Sequence, residues 1–374
     1  MFTLAGLVAV YTSSFVIGLA QFGDEHYFIM RQTVFACAGG FLLICAARLD
    51  YHRLRPFALP IMLCTIAALV AVLLVGETVN GARRWLGPSQ LTLQPAEFAK
   101  LTVIIYLAAW LEGKGESIKS LEHGLIPFVV IIGIVAALIM FEPSLGTTFI
   151  IMVITVTMFF VAGASIFQMV ALGGAGAFSV AILATVEGYR MERLTAFFNA
   201  GADTTGNNFQ TTQSIMAIGN GGIHGLGLGA SRAKFFYIPE SHTDGVFAII
   251  SEELGLIAAL ALLVLFVAFM IRGYTVANRS KDGFGALLAT GITTWVIAQA
   301  MLNIGGITRV IPLTGVPLPF LSYGGSALMA VMAGVGVLIS VSRFSGSEHK
   351  TATRRAPEPP PSGEHRIVHR RKVR

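Results

Sequence analysis

Residues 235–244 read FFYIPESHTD, and this polar stretch runs directly into the apolar segment 246–271, which carries Glu252 and Glu253 near its start. Only 12% of the 374 residues are charged and the mean hydropathy is +0.74, so a cluster of charge stands out. Charged side chains are costly where lipid surrounds them, and they mark function when they gather at the mouth of a membrane helix. The stretch therefore predicts a reaction or recognition site where a long loop re-enters a membrane.

Apolar runs long enough to cross about 30 Å of hydrocarbon recur along the chain. A hydrophobic fraction of 55% with 41 glycines lies outside the range of soluble domains and predicts an all-α integral membrane protein. The first run begins close to Met1 without a basic leader, so we expect a retained helix and not a cleaved signal peptide. The ten predicted spans are 3–20, 27–47, 57–75, 97–111, 124–141, 145–163, 167–186, 246–271, 285–305 and 322–341.

The distribution of lysine and arginine orients the predicted bundle. With both termini in the cytoplasm, each short inner loop is basic, as the positive-inside rule requires. A large outer loop, about 187–245, then lies between helices 7 and 8. The cations of the predicted inner loops are Arg48, Arg53, Arg55, Lys114, Lys119, Arg272, Arg279 and Lys281.

Composition divides the chain into a membrane domain, 1–343, and a basic tail, 344–374. The tail is rich in Pro, Arg and Ser and cannot bury a core, so we expect it to be disordered. Its last residues, RRKVR, suit anionic lipid or a partner, and a solvated tail that only sets topology explains the same charges. All three cysteines fall inside predicted spans, where they form no disulfide or metal-binding pattern.

The first outer segment, about 76–96, places cations and a tryptophan beside the start of a helix. Pro95 suits a first helical turn, so the positive end of that helix faces the outer surface. Glu97 and Lys100 lie three residues apart and can pair on one helical face. These residues could form a cradle, a binding site for a pyrophosphate, with Trp85 stacking on a sugar. Alternatively, Trp85 and the arginines anchor the helix at the lipid headgroups, and Glu97 and Lys100 form a structural ion pair. The cradle cations are Arg83, Arg84 and Lys100.

Asp244 is the candidate general base. A carboxylate at the start of a helix either caps that helix or takes a proton from a hydroxyl nucleophile. His242 either tunes the Asp244 carboxylate as a base or accepts hydrogen bonds from amides of the loop. Adjacent side chains on a helix point about 100° apart, so at most one of Glu252 and Glu253 faces a cavity, and we expect the other to pair between helices. Glu142, in a tight turn between spans, is expected to be structural.

Two further features precede the Asp244 stretch in the large outer loop. Residues 210–214 are suited to begin a short re-entrant or interfacial helix. The glycines that follow predict backbone that lies close to a ligand. They are not a dinucleotide fingerprint, because no strand precedes them. These glycines are Gly219, Gly221, Gly222, Gly225, Gly227 and Gly229.

Six motifs, in order along the chain, resemble the SEDS family (shape, elongation, division and sporulation) of bacterial membrane glycosyltransferases, whose members include FtsW, RodA and SpoVE. The resemblance extends to about residue 343, and Gly225–Lys234 and Pro312–Gly315 look nearer FtsW than RodA. Ser144 and Gly245 depart from the family pattern, which usually has aspartate and phenylalanine there. The motifs are Asn80–Trp85, Gln94–Lys100, Glu142–Thr147, Gln213–Gly229, Pro239–Gly255 and Asn303–Ser326.

The resemblance implies polymerisation of peptidoglycan from lipid II at the outer face of the bacterial cytoplasmic membrane. It implies that Asp244 deprotonates the acceptor 4-hydroxyl while undecaprenyl pyrophosphate leaves, stabilised by fixed positive charge. A good leaving group needs no paired acid of the kind that glycoside hydrolysis uses. The substrate-binding residues that it implies are Arg84, Trp85, Gln94, Glu97, Lys100, Arg232, Lys234, Glu240, His242, Thr243, Ser322 and Tyr323.

The resemblance also implies partners and a setting. We expect a class B penicillin-binding protein, a transpeptidase, as partner, together with other divisome membrane proteins and no nucleic acid. No carboxylate cluster resembles a metal cage, so no tightly bound cofactor is expected, and a transient divalent cation at the pyrophosphate is left open. The expected role is septal wall synthesis in cell division, with elongation as the alternative. A lipid II flippase and a non-catalytic scaffold are the competing function classes, and a scaffold should tolerate loss of Asp244.

Overall fold

The computed structural model describes residues 2–79, 82–87, 92–186, 197, 207–235, 237–238 and 241–354. Within these ranges the fold is all-α, apart from an antiparallel hairpin of β1 (Glu77–Val79) and β2 (Ala82–Trp85). The α-helices are α1 Phe2–Phe22, α2 Tyr27–Arg48, α3 Leu54–Val75, α4 Pro95–Lys114, α5 Ile126–Phe141, α6 Leu145–Val161, α7 Ile166–Val186, α8 Asn207–Asn220, α9 Val246–Arg279, α10 Gly283–Ile307 and α11 Gly325–Arg354.

Each of the ten predicted spans coincides with one of these helices, and α8 contains the predicted short helix of the large outer loop. Seven helical segments in the described part of the chain are long and apolar enough to cross a membrane. The chain is therefore a multi-pass membrane protein. The number of crossings and the orientation of the bundle stay predictions. The boundary at 343 also stays a prediction, because α11 continues to Arg354 and residues 355–374 lie outside the described ranges.

Helix α10 lies at the centre of the bundle. Of its most apolar stretch 78% is buried, against 22% for the segment that contains α3, and α10 packs against α4, α6, α9 and α11. Small residues allow this close approach, as is usual between membrane helices. A β-carbon added at Gly291 would lie 2.7 Å from Met158 Sδ of α6 and 2.8 Å from Ile104 Cγ2 of α4. The centre of the molecule is thus a tightly packed helix that can hold polar side chains in fixed positions.

Helix α9 is interrupted at Gly255, where the sequence predicts one continuous span. The φ of Gly255 is 76°, in the left-handed region that glycine tolerates. The glycine-rich segment, residues 219–229, crosses the helix at this break. The approach is so close that a β-carbon on Gly255 would lie 2.4 Å from the Gly225 nitrogen. The short first part of α9, which follows Asp244, is thereby set apart from the longer second part.

Backbone hydrogen bonds from the glycine-rich segment satisfy the groups that the break exposes. The N–H groups of Leu226 and Gly227 donate to the carbonyls of Glu252 and Glu253, at 3.0 and 2.9 Å. Backbone groups inside a membrane must find such partners within the protein, since lipid offers none. Of the six glycines predicted to approach a ligand, those that therefore lie against the backbone of α9 are Gly221, Gly222, Gly225 and Gly227.

Gly255→Ala is expected to destabilise the protein by at least about 1–2 kcal/mol, the cost of a side chain in the left-handed conformation. The new β-carbon would also lie 2.4 Å from the carbonyl oxygen of Ile223, so the segment would have to move. Thermal unfolding in detergent measures the effect. Gly133→Ala in α5, where a β-carbon meets nothing within 4 Å, is the control. Equal melting temperatures for the two variants would contradict the prediction.

Candidate active site

The candidate active site is built around Asp244 at one end of the bundle. At this end lie the described residues of 76–79, 82–87, 92–95, 142–146, 241–245 and 308–326. We call this the Asp244 end. Helix α9 begins at Val246, and Gly245 occupies its N-cap position without a side-chain hydrogen bond. Asp244 lies immediately before this position, so both the capping role and the role as base stay predictions. Its side chain is partly exposed.

Two carboxamides of α10 hold the backbone around Asp244. Asn303 Nδ2 donates to the carbonyl oxygens of Asp244, at 3.0 Å, and of Val316, at 2.8 Å. One helical turn earlier, Gln299 Nε2 donates to the carbonyl of Pro317 at 3.0 Å. Neither amide was among the predicted site residues, although Asn303 begins one of the six motifs. Buried polar residues inside a predicted span are a recognised indication of a functional site.

His242 and Tyr323, both predicted site residues, lie together. Their ring centroids are 5.5 Å apart, and each ring packs on Phe28 of α2, at 4.6 and 5.1 Å. The Tyr323 N–H donates to the His242 carbonyl at 2.8 Å. Burial raises the pKa of Tyr323, against the effect of nearby Arg31, so its phenol stays protonated at neutral pH. Thr243 lies between His242 and Asp244 and is half-buried.

Ser322 has a structural partner within its own segment. Its buried hydroxyl oxygen accepts the Leu318 N–H at 2.8 Å, and its carbonyl accepts Gln32 Nε2 of α2 at 3.3 Å. Gln94, another predicted site residue, donates its backbone N–H to Ser326 Oγ at 3.0 Å. These bonds connect α2, the start of α4 and α11 to the segment that Asn303 holds.

The predicted pairing of Glu97 with Lys100 is confirmed, but the pair is not on the surface. Lys100 is 0% exposed, and its ammonium lies 2.8 Å from Glu97 Oε2 and 3.0 Å from Gln299 Oε1. Gln299 Oε1 also accepts the Trp295 Nε1–H at 2.8 Å. The sequence predicts an ammonium facing a pyrophosphate, whereas the structure places it inside the bundle. Contact of Lys100 with substrate stays a prediction that requires this ion pair to open.

Arg84, the second predicted cradle cation, braces the turn between α5 and α6. Its Nε and one terminal nitrogen donate to the carbonyls of Glu142 and Pro143, at 2.7 and 2.6 Å. Arg84 and Trp85, both half-buried, belong to β2. The predicted structural role of Glu142 agrees with its position in the turn, where it is fully buried.

Glu142 carries a buried carboxyl, and neither of its oxygens has a hydrogen-bond partner among the described residues. Burial raises the pKa of Glu142 to about 8, although the Arg84 guanidinium opposes the rise. A folded-state pKa above the unfolded value of 4.5 means that the folded protein binds more protons between pH 4.5 and about 8. The contribution of Glu142 to stability is therefore full below pH 4.5 and is lost as the pH rises through about 8.

Glu142→Gln is expected to remove this pH dependence. At pH 8 the variant should be more stable than wild type by about 1–3 kcal/mol, because the glutamine has no charge to bury. At pH 5 the difference should largely disappear. Melting temperature measured from pH 5 to 8.5 tests this, with Glu116→Gln at an exposed position as control. Parallel profiles for wild type and Glu142→Gln would contradict the prediction.

Both glutamates of α9 pair with segment 229–234, so neither faces a cavity. Lys234 Nζ, fully buried, lies 3.0 Å from Glu253 Oε1 and also donates to the Gly229 carbonyl. Glu252 accepts the Ser231 hydroxyl and the Ala233 N–H. The sequence allowed one glutamate to face a cavity, and the resemblance implies that Lys234 contacts substrate. In the structure Lys234 pairs with Glu253, and Glu252 accepts hydrogen bonds from segment 229–234.

The remaining predicted site residues differ in how far the structure describes them. Arg232 is exposed, and its backbone N–H lies 3.4 Å from Glu252 Oε1. Glu240 lies outside the described residues. Within the described ranges, no three His, Cys, Asp or Glu residues are grouped so that they could hold a metal ion.

A family model described as "Cell cycle protein" and named for FtsW, RodA and SpoVE matches residues 1–347. Stage V sporulation protein E of Bacillus subtilis is 41% identical over 342 residues, which cover 91% of this chain and 93% of the relative. A probable peptidoglycan glycosyltransferase FtsW of Geobacter metallireducens is 38% identical over 351 residues, with 92% and 93% covered.

Solved structures have the same fold. A chain from a peptidoglycan synthase complex, in a study of how polymerization and crosslinking are coordinated, is similar with a TM-score of 0.72 and 27% identity. The match covers 91% of this chain and 96% of that one. The rod shape determining protein RodA of Thermus thermophilus is similar with a TM-score of 0.64 and 26% identity, covering 92% and 97%.

Proposed function

Because the chain belongs to the FtsW/RodA/SpoVE family of cell cycle proteins, we propose that it is a peptidoglycan glycosyltransferase that polymerises glycan strands from lipid II. The names of two relatives, which match 91% and 92% of the chain, state a sporulation role and that activity, respectively. The observation that carries the proposal is Asp244, a partly exposed residue immediately before α9, on a backbone held by Asn303.

In the proposed reaction Asp244 accepts the proton of the 4-hydroxyl on the acceptor sugar as that oxygen attacks the anomeric carbon of the donor. The new glycosidic bond forms as the bond to undecaprenyl pyrophosphate breaks, and the bonding electrons leave with the pyrophosphate. One displacement predicts inversion at the anomeric carbon. A carboxylate held by fixed backbone contacts suits this role, because catalysis depends on a defined orientation of the reacting groups.

For the departing pyrophosphate we propose Arg84 and Lys100. Fixed positive charge stabilises negative charge as it develops on a leaving group. Arg84 now contacts the carbonyls of the α5–α6 turn, and Lys100 must leave Glu97 to reach a phosphate. His242 and Tyr323 would line the sugar side of the site, where aromatic faces and a phenol donor suit a carbohydrate.

We further propose that the reaction takes place at the outer face of a bacterial cytoplasmic membrane, in septal wall synthesis, with a class B penicillin-binding protein as partner. A solved relative belongs to a synthase complex that couples polymerization with crosslinking. The matching family is described as "Cell cycle protein", and one relative is named as a sporulation protein. The basic loops at the end of the bundle opposite Asp244 agree with this orientation.

The test is lipid II polymerisation by the purified protein with its class B partner in detergent. Moenomycin is present throughout, because it blocks the unrelated glycosyltransferases that contaminate such preparations. We expect glycan chains from wild type and none from Asp244→Ala. Chains from both proteins would overturn the role of Asp244. Chains from neither, with the partner shown to be bound, would favour a flippase or a scaffold over an enzyme.

A further inference from the structure

Asn303 connects two segments that are remote in sequence, and both are part of the candidate site. Its single Nδ2 group donates to the Asp244 carbonyl at 3.0 Å and to the Val316 carbonyl at 2.8 Å. The side chain is 3% exposed. The amide cannot be flipped, because Oδ1 would then face two carbonyl oxygens, none of which donates a hydrogen bond.

The helix that carries Asn303 is a rigid support. It is the most buried of the candidate spans, and Gln299 one turn earlier holds the Pro317 carbonyl at 3.0 Å. The next residue, Leu318, donates its N–H to Ser322 Oγ at 2.8 Å. Segment 316–318 is therefore held at three consecutive residues, and Asn303 connects it to the Asp244 segment, residues 241–245.

The Asp244 segment is held on both sides of the catalytic carboxylate. The His242 carbonyl accepts the Tyr323 N–H at 2.8 Å, and the Asp244 carbonyl accepts the Asn303 amide. The next residue is Gly245, which places little steric restriction on the peptide group that precedes it. The Asn303 contact restrains the peptide group that joins Asp244 to Gly245.

Fixing the carbonyl of a residue fixes its ψ angle, and with it the direction of the Cα–Cβ bond relative to the surrounding site. We propose that Asn303 is a positioning residue: it sets the direction in which the Asp244 carboxylate points without touching substrate. This inference rests on the proposed role of Asp244 as general base. Gln299 supports this arrangement, because its Nε2 donates to the Pro317 carbonyl. Its Oε1 accepts a hydrogen bond from the Lys100 ammonium, which connects the Asp244 segment with the predicted pyrophosphate site.

The test compares Asn303→Leu with a matched control at the other end of the bundle. Gln168 of α7 is also buried, and its Nε2 donates to two loop carbonyls, those of Ile118 and Ser120, at 3.0 and 3.3 Å. Gln168→Leu thus removes the same kind of contact away from Asp244. Each substitution is measured by melting temperature, partner binding, and kcat and KM for lipid II polymerisation.

Asn303→Leu is expected to lower kcat about 100-fold, the loss typical of a small misplacement of a catalytic group. KM should change by less than about threefold, because ground-state binding of lipid II is retained. Asn303→Gln, which keeps a carboxamide, should recover kcat by about tenfold over Asn303→Leu, since a misplaced donor restores part of the contact. Gln168→Leu should keep kcat within about twofold of wild type at a similar loss of melting temperature.

Three results would overturn the inference: a kcat for Asn303→Leu within about threefold of wild type, an equal kcat loss in Gln168→Leu, or no recovery in Asn303→Gln. If Asn303→Leu does not fold, Asn303→Ser takes its place with the same expectations. Failure of the proposed function has a different signature, since Asp244→Ala would then polymerise like wild type. Loss of activity in Asp244→Ala with full kcat in Asn303→Leu overturns the positioning role alone.

Discussion

Asp244→Asn is expected to lower the rate of lipid II polymerisation by about 10²–10⁴-fold, the contribution typical of a positioned general base. Asparagine has the same shape as aspartate and caps helices equally well, so it tests proton transfer and not local structure. The backbone carbonyl of residue 244 is unchanged, and the contact with Asn303 is therefore retained. Binding of lipid II and of the partner should stay close to wild type.

Asp282→Asn is the matched control for this substitution. Asp282 is the N-cap of α10 at the opposite end of the bundle, and its carboxylate accepts the Gly285 N–H at 2.9 Å. Asparagine can keep that cap, so polymerisation should be unaffected. The rates are measured with purified protein and partner at saturating lipid II. Similar losses in both variants, or none in Asp244→Asn, would show that the carboxylate of residue 244 does not act as the base.

Lys100→Met is expected to lower the free energy of unfolding by about 3–5 kcal/mol, because it leaves a buried carboxylate without its cation. Glu97 is 4% exposed, and its Oε2 lies 2.8 Å from the Lys100 ammonium. The same change also removes the donor to Gln299 Oε1. Thermal and denaturant unfolding in detergent measure the loss independently of any effect on activity.

The double variant Glu97→Gln/Lys100→Met should regain most of this stability, since a neutral pair of similar volume replaces a buried ion pair at little cost. Lys114→Met, near the end of the same helix, is the single-site control. Its ammonium lies 5.2 Å from the centre of the Trp110 ring, a contact worth about 0.5–1 kcal/mol. A loss in Lys100→Met no larger than in Lys114→Met would contradict the burial of the ion pair.

The helices were predictable because the length of each apolar run predicts the length of the membrane helix that it forms. The predicted span 124–141 and α5, Ile126–Phe141, differ by two residues at one end. Pro95 stands in the first turn of α4, as its fixed φ and missing N–H predict. The break at Gly255 was not predictable, because the apolar pattern continues through it. Only the approach of the glycine-rich segment shows why the helix ends and restarts there.

The candidate site was predictable as a set of segments, and less so as a set of contacts. His242 and Tyr323, which the resemblance implies as substrate-binding residues, lie together in the structure, although the sequence did not predict their contact. The burial of Lys100 and Lys234 does not follow from their positions in the chain. A cation on an outer segment looks available to substrate until its partners are known.

Local sequence was enough to place the helices of this membrane protein and to identify its family, because apolar length and short motifs are properties of neighbouring residues. The same motifs predict Asp244 as the base. Only the tertiary structure showed which buried cations have partners and which side chain binds the backbone carbonyl of Asp244. Lys234 meets Glu253 across 19 residues, Lys100 meets Gln299 across 199, and Asn303 meets the carbonyl of Asp244 across 59. Such contacts join residues that are remote in sequence. They depend on how the helices pack, which the pattern of neighbouring residues does not specify.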